Sequence, residues 1–144
     1  MTRKANSLNR QQRAYAEAKA AKEAAAEMYD EAEQKYIQTH GIKNADGTTP
    51  RHIWAVDCPE DEWDALNEEA YEDPELKEAA DLKSAAMAAL LQAENELVDW
   101  SLSIIPEGLR ATLEPAKKQY KVREKLIDVA FRLDARTVPQ RRAL

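Results

Sequence analysis

From Asp57 to Leu76 the chain reads DCPEDEWDALNEEAYEDPEL, ten carboxylates without a single Lys or Arg. That stretch constrains everything around it, because a charged surface of this density has to stay in water. It is nevertheless not a featureless acidic tail. Trp63, Leu66 and Tyr71 recur at helical spacing, and with Ala70 they cover roughly a third of the circumference of a helix. A short helix with one apolar stripe and a wide anionic face is expected, with Pro59 in its first turn and Asp57 or Cys58 as its cap.

Longer periodic segments flank it. Leu8, Tyr15, Ala18, Ala25, Tyr29, Ala32 and Tyr36 fall at steps of three, four or seven, with Ala14, Ala21 and Met28 beside them. They predict one helix from a cap at Asn6 or Ser7 to about Thr39, stopped by Gly41 in the left-handed conformation. Residues 41–58 have loop composition, with a turn at Asp46–Gly47. Ile53, Trp54 and Val56 are expected to lie down on the helices, with a short extended piece at 52–56.

Asp73 and Pro74 read as cap and first residue of a long helix that reaches about residue 103. One stripe (Ala79, Leu82, Ala86, Leu90, Ala93, Leu97, Trp100, Ile104) lies beside a second (Leu76, Ala80, Met87, Leu91, Val98), so this helix is expected to be sandwiched. Pro106 closes it, and residues 107–113 have room for one short turn. Pro115 is expected to open a last helix running to about Arg136, with Leu113, Ala116, Tyr120, Leu126, Ile127, Ala130, Phe131 and Leu133 facing inward. Arg123 falls among these apolar positions and is expected to pair with a carboxylate of a neighbouring helix. The expected fold is all-α, a single domain over residues 1–144. It is a helical bundle of three long helices, the first two antiparallel, plus a short acidic helix. An irregular loop spans about 41–58, and the ends at about 1–5 and 138–144 are expected to be flexible.

Composition sets the thickness of the core. Leu, Ile, Val and Phe supply 25 of 144 residues, roughly 17%, below the ~20% under which highly charged chains tend not to fold. Eight Trp and Tyr residues and abundant Ala offset this, so a thin core of close Ala-mediated contacts with aromatic anchors is expected. No run of ~18 apolar residues is present, which argues against a membrane span, and MTRKANSLNRQQRAYAEAK lacks the apolar centre of a signal peptide. The single cysteine, Cys58, excludes an internal disulfide. A soluble cytoplasmic protein is expected.

Charge is segregated along the chain. Residues 57–99 hold fifteen acids and two bases, whereas residues 110–142 hold ten bases and four acids. The net charge of −6 conceals both poles. Carboxylates three and four apart on a helix stand about 5–6 Å from one another at Cβ, a separation comparable to that of phosphates along a nucleic-acid strand. Glu60, Asp61, Asp64, Glu68, Glu69 and Glu72 are therefore the candidate contact surface for a protein partner with a basic, nucleic-acid-binding groove. The device is similar to one used by small inhibitors from phages and mobile elements, although no motif assigns the chain to such a family. The plainer reading of the same face is a solvated surface partly neutralised by the basic last helix.

That last helix offers a second class of function. Lys117, Lys121, Lys125, Arg132 and Arg136 lie within about 100° of one another on a helical projection, a candidate phosphate-contacting stripe for a nucleic-acid-binding accessory protein. No interleaved aromatics and no helix-turn-helix, zinc-finger or RNA-binding signature accompany it, so nucleic acid ranks below a protein partner. A structural homodimer built on the Ala-rich first helix is a further alternative, weakened by Lys22, Gln11 and Gln12 within its stripe.

Catalysis has little to work with. Cys58, His52 and His40 come from one loop and its edge, without glycines for an oxyanion site, and there is no phosphate-binding glycine loop. One Cys and two separated His do not make a zinc spacing, and the acidic stretch lacks the glycine-bearing loop that wraps oxygens around calcium. No enzyme activity, no cofactor and no metal is expected from the sequence.

Overall fold

The computed structural model describes residues 9–132, and these are all-α. In chain order they form α1 (Arg10–Thr39), a single 3-10 turn (Ile53–Ala55), α2 (Glu60–Tyr71), α3 (Pro74–Ile104), α4 (Glu107–Leu113), a second 3-10 turn (Glu114–Ala116) and α5 (Tyr120–Arg132). Two compact units result, one made of Ala21–Met87 and the other, in its described part, of residues 9–20 and 88–132. The expected flexible ends and the positions of Leu8, Leu133 and Arg136 lie outside the described residues.

The Ala21–Met87 unit is built on the end of α1. The helix stops where Gly41 turns to φ 60°, its N–H bonding to the Gln38 carbonyl (3.2 Å), while the N–H of Ile42 reaches back to the Ile37 carbonyl (3.0 Å). This paired arrangement satisfies two carbonyls that a helix end leaves open, and it brings Ile42 against Ile37. Both side chains are buried, in a core completed by Tyr36, Ile53, Val56, Ala70 and Leu76. The loop after Gly41 tightens at Gly47 (φ 86°), where Asp46 accepts from both the N–H and the hydroxyl of Thr48. Ile53 and Val56 then dip into the core, but through a 3-10 turn rather than the expected extended piece. Trp54 departs further from expectation and stands 71% exposed. In a 3-10 turn successive side chains splay around the axis, so Ile53 and Val56 can be buried while Trp54 between them points outward.

Two corrections concern α2 and α3 in this unit. The cap of α2 is Pro59, which has no side-chain acceptor, rather than Asp57 or Cys58. Asp73 does cap α3, its Oδ2 accepting the N–H of Leu76 at 3.0 Å. The initial segment of α3 runs antiparallel to the end of α1, as Lys35 pairs with Glu75 (3.0 Å) and Tyr29 receives the Lys83 ammonium over its ring (4.8 Å). The expected sandwiching of α3 fails along this stretch. Ala79 is buried, yet Leu82 and Met87 are exposed, as is Met28 on α1. Each stripe is buried at its start, at Ala79 and at Leu76, and exposed further on, at Leu82 and at Met87.

The second unit starts at a reciprocal cap. The side chain of Asn9 accepts the N–H of Gln12, and the side chain of Gln12 accepts the N–H of Asn9, each at 2.8 Å. This is a capping box with Asn and Gln, and it places the start of α1 at Arg10 rather than at the expected Asn6 or Ser7. Gln12 is fully buried and its amide also donates to the Ala130 carbonyl of α5. Tyr15 packs against Phe131 with ring centroids 5.6 Å apart.

Val98, Leu102 and Leu126 form the core of this unit, with Leu97 buried as well. The Ser101 hydroxyl donates to the Leu126 carbonyl at 2.9 Å. Arg110 closes the end of α3, its guanidinium donating to the carbonyls of Leu102, Ser103 and Ile105. A cation at a helix C-terminus also meets the negative end of the helix dipole. The last helix begins at Tyr120, not at Pro115, because Pro115 opens the 3-10 turn instead. That shift rotates Tyr120 out of the core, where it is largely exposed; Phe131, also expected inside, is partly exposed. Leu91, on the second stripe of α3, is exposed too.

Candidate functional site

The acidic helix α2 is held by its apolar stripe. Trp63 and Leu66 are half-buried against the core and Ala70 is buried. The Trp63 indole N–H donates to the Ile53 carbonyl at 3.2 Å, which ties α2 to the loop before it. Tyr71, counted with that stripe in the sequence, is exposed. Glu60, Asp61 and Glu62 occupy the first turn, where negative charge complements the helix dipole.

All six candidate residues, Glu60, Asp61, Asp64, Glu68, Glu69 and Glu72, are exposed. Among the described residues no carboxylate of α2 enters an ion pair with a Lys or Arg. The unit that carries α2 is acidic throughout, with eighteen acids and six bases between Ala21 and Met87. Cys58, at the foot of α2, feels this field. Desolvation pushes its thiol above the ordinary range, and Glu62, Asp57 and Asp61 push it further, which leaves a poor nucleophile.

The basic stripe comes apart in the structure. Lys117 precedes α5 and pairs with Asp99 (3.2 Å), and Arg132 pairs with Asp128 one turn back (2.9 Å). Arg136 lies outside the described residues. Lys121 and Lys125 remain exposed on α5. Arg123 behaves as its position implies, donating through Nε to Glu94 (2.8 Å) and through Nη2 to the Asn95 side chain (2.7 Å).

A cluster that sequence reasoning missed lies between α1 and the loop before the 3-10 turn. Glu33 is 2% exposed, an unusual position for a carboxylate. Its Oε1 lies 2.6 Å from Nδ1 of His52, and burial together with Glu33 pushes the Tyr29 phenol above its ordinary value. Asp30, three residues before Glu33 on α1, brings a third donor group to the same place. The His52 ring is fixed from outside by Trp54, stacked at 5.3 Å and 9°. Nearby, Tyr29, Glu33, Trp54, Tyr71, Lys77 and Asp81 line a cavity of about 180 Å³. Only the placement of Glu33 within the Tyr29–Tyr36 stripe of α1 could have drawn attention to it in the sequence.

The chain matches no protein-family model, no curated protein and no solved structure. No helix among the described residues is long and apolar enough to cross a membrane.

Proposed function

We propose that the protein is a non-enzymatic binding protein of the cytoplasm that presents α2 to a basic surface of a partner, in the manner of an inhibitor masking a nucleic-acid-binding groove. The carrying observation is the state of the six carboxylates: each is exposed, none is ion-paired among the described residues, and all stand on α2 or, for Glu72, at its C-cap, on a helix pinned by Trp63, Leu66 and Ala70. An array fixed in this way meets a basic partner without first having to be ordered, and its field speeds the encounter. Side chains already paired internally would have to break those pairs to bind. That consideration sets the acidic face above the nucleic-acid reading through the last helix, where Lys117 and Arg132 are already engaged. A homodimeric bundle draws its support from Met28, Leu82 and Met87, which leave an apolar strip of the acidic unit exposed.

The test is neutralisation. Changing Glu60, Glu68, Glu69 and Glu72 to Gln and Asp61 and Asp64 to Asn keeps size while removing charge. Binding to a basic, nucleic-acid-binding partner is expected to fall at least tenfold, mostly through slower and less salt-sensitive association, with the melting temperature held or raised. Added nucleic acid is expected to compete with the parent for that partner. A neutralised protein that binds as tightly as the parent ends this reading. A mobility shift of duplex DNA by the parent at low salt, abolished by Lys121→Ala with Lys125→Ala, would move the function to α5.

A further inference from the structure

We propose that Asp30, Glu33 and His52 form a binding site for one divalent transition-metal ion of the zinc class. The inference is independent of the acidic face on α2, and it rests on how the three side chains are brought together. One donor atom from each lies within 4.8 Å of the other two. Two come from one face of α1, since residues three apart on a helix are neighbours, and the third arrives from the loop that precedes the 3-10 turn.

The chemistry of the donors selects the class of ion. An imidazole nitrogen with two carboxylates suits zinc and its first-row neighbours, whereas calcium and magnesium ask for an all-oxygen shell. Three protein donors leave a position for water, and Asp30 is exposed, so ion and water can reach the cluster from solvent. Glu33 gives the cluster its negative charge where water cannot screen it, being almost fully buried and facing no Lys or Arg in an ion pair among the described residues. A buried carboxylate of this kind is costly unless a positive charge meets it. His52 stands beside it, with Nδ1 2.6 Å from Oε1. A divalent ion between the two would supply that positive charge.

The required movement is small. Donors about 2.0–2.1 Å from a tetrahedral ion stand about 3.3 Å apart, so Nδ1 and Oε1 must separate by under about 1 Å. His52 stands outside any helix, and its ring can slide against the exposed face of Trp54 while remaining stacked. Glu33 also lines the 180 Å³ cavity, which gives its carboxylate space to rotate.

The experiment titrates Zn²⁺ into the tag-free, chelator-treated full chain by calorimetry, with Co²⁺ absorption as a second readout. Expected are one saturable site per chain, a rise in melting temperature and visible Co²⁺ bands of a low-coordinate N/O site, all in the presence of millimolar Mg²⁺. Asp30→Asn, an exposed change, is expected to weaken Zn²⁺ at least tenfold while leaving the metal-free melting temperature unchanged. His52→Asn is expected to remove the Co²⁺ bands. Glu27→Gln, one turn earlier on α1, is expected to bind as the parent does. Non-saturable binding by the parent, or an Asp30→Asn variant that binds as tightly as the parent, would overturn the site. So would equal weakening by Glu27→Gln, since that would mark a diffuse attraction of cations to an acidic surface.

Discussion

Arg123 and Lys121 are two residues apart, carry the same charge and are predicted to matter very differently. Arg123 is largely covered and bonds to Glu94 and Asn95, so Arg123→Ala leaves a half-buried carboxylate without its partner and is expected to cost about 1–3 kcal/mol. Lys121→Ala removes an exposed charge and is expected to stay within about 0.5 kcal/mol. Equal chemical-denaturation midpoints for the two variants would show Arg123 to be an ordinary surface base. Tyr36 supplies a prediction of opposite sign. Its ring is buried and stacked on His40 (4.0 Å), but its hydroxyl is buried without a hydrogen-bond partner. Tyr36→Phe is therefore expected to raise stability by about 1 kcal/mol. Burial, and then Glu69 and Asp73, hold the phenol of Tyr36 above its ordinary value. A raised value in the folded state means that stability is complete below the unfolded value of about 10 and is lost as the pH climbs through the folded one. The parent should lose stability above pH 10, and Tyr36→Phe should lose less of it. Arg123 was legible because a base stands where the apolar period wants a hydrophobe. Glu33 and His52 were not, because nineteen residues of chain separate them and the path of the loop decides that they meet.

At the scale of elements, the boundaries set by backbone chemistry were readable and those set by competition between neighbours were not. Gly41 and Asp73 each have one conformational reason to be where they are, and both act as expected. Asn6, Ser7 and Asn9 are all good caps, and what separates them is Gln12, three residues after Asn9, able to return the hydrogen bond. The apolar period of α1 presents Gln12 only as a break in its stripe. Pro115 is ambiguous in the same way, since a proline opens a 3-10 turn as readily as an α-helix. The displaced start of α5 then undoes the basic stripe, which depends on a continuous helix from Lys117. Gly41 gives the cleanest test at this scale. Its φ is 60°, and no atom lies within 4 Å of the place an added Cβ would take, so Gly41→Ala clashes with no neighbour and bears only the backbone cost, about 1–2 kcal/mol. A melting temperature equal to that of the parent would mean that α1 is not terminated in the left-handed conformation.

For the whole molecule, the thin apolar inventory appears as two small cores, one around Ile37 and Ile53 and one around Val98 and Leu126, and the charge divides with them. Ala21–Met87 carries eighteen acids and six bases, while residues 1–20 with 88–144 carry nine acids and fifteen bases. The sequence displays this asymmetry, but not that it follows the division into units, because the boundaries fall inside α1 and α3 rather than in a linker. A core this small sitting under so many like charges makes the stability of the acidic unit sensitive to salt. On α2 and its C-cap, Glu60 and Asp64, Asp64 and Glu68, and Glu68 and Glu72 are four apart, each pair costing about 0.2–0.5 kcal/mol. Raising salt from low concentration to several tenths molar shortens the screening length to well under 10 Å, so these repulsions fade while the apolar contacts of Trp63, Leu66 and Ala70 remain. Amide hydrogen exchange at residues 66–70 is accordingly expected to slow several-fold with added salt. Exchange that quickens instead would mean that the α2 carboxylates are held by favourable pairs within the protein, and a face already occupied in that way would not be available to a basic partner.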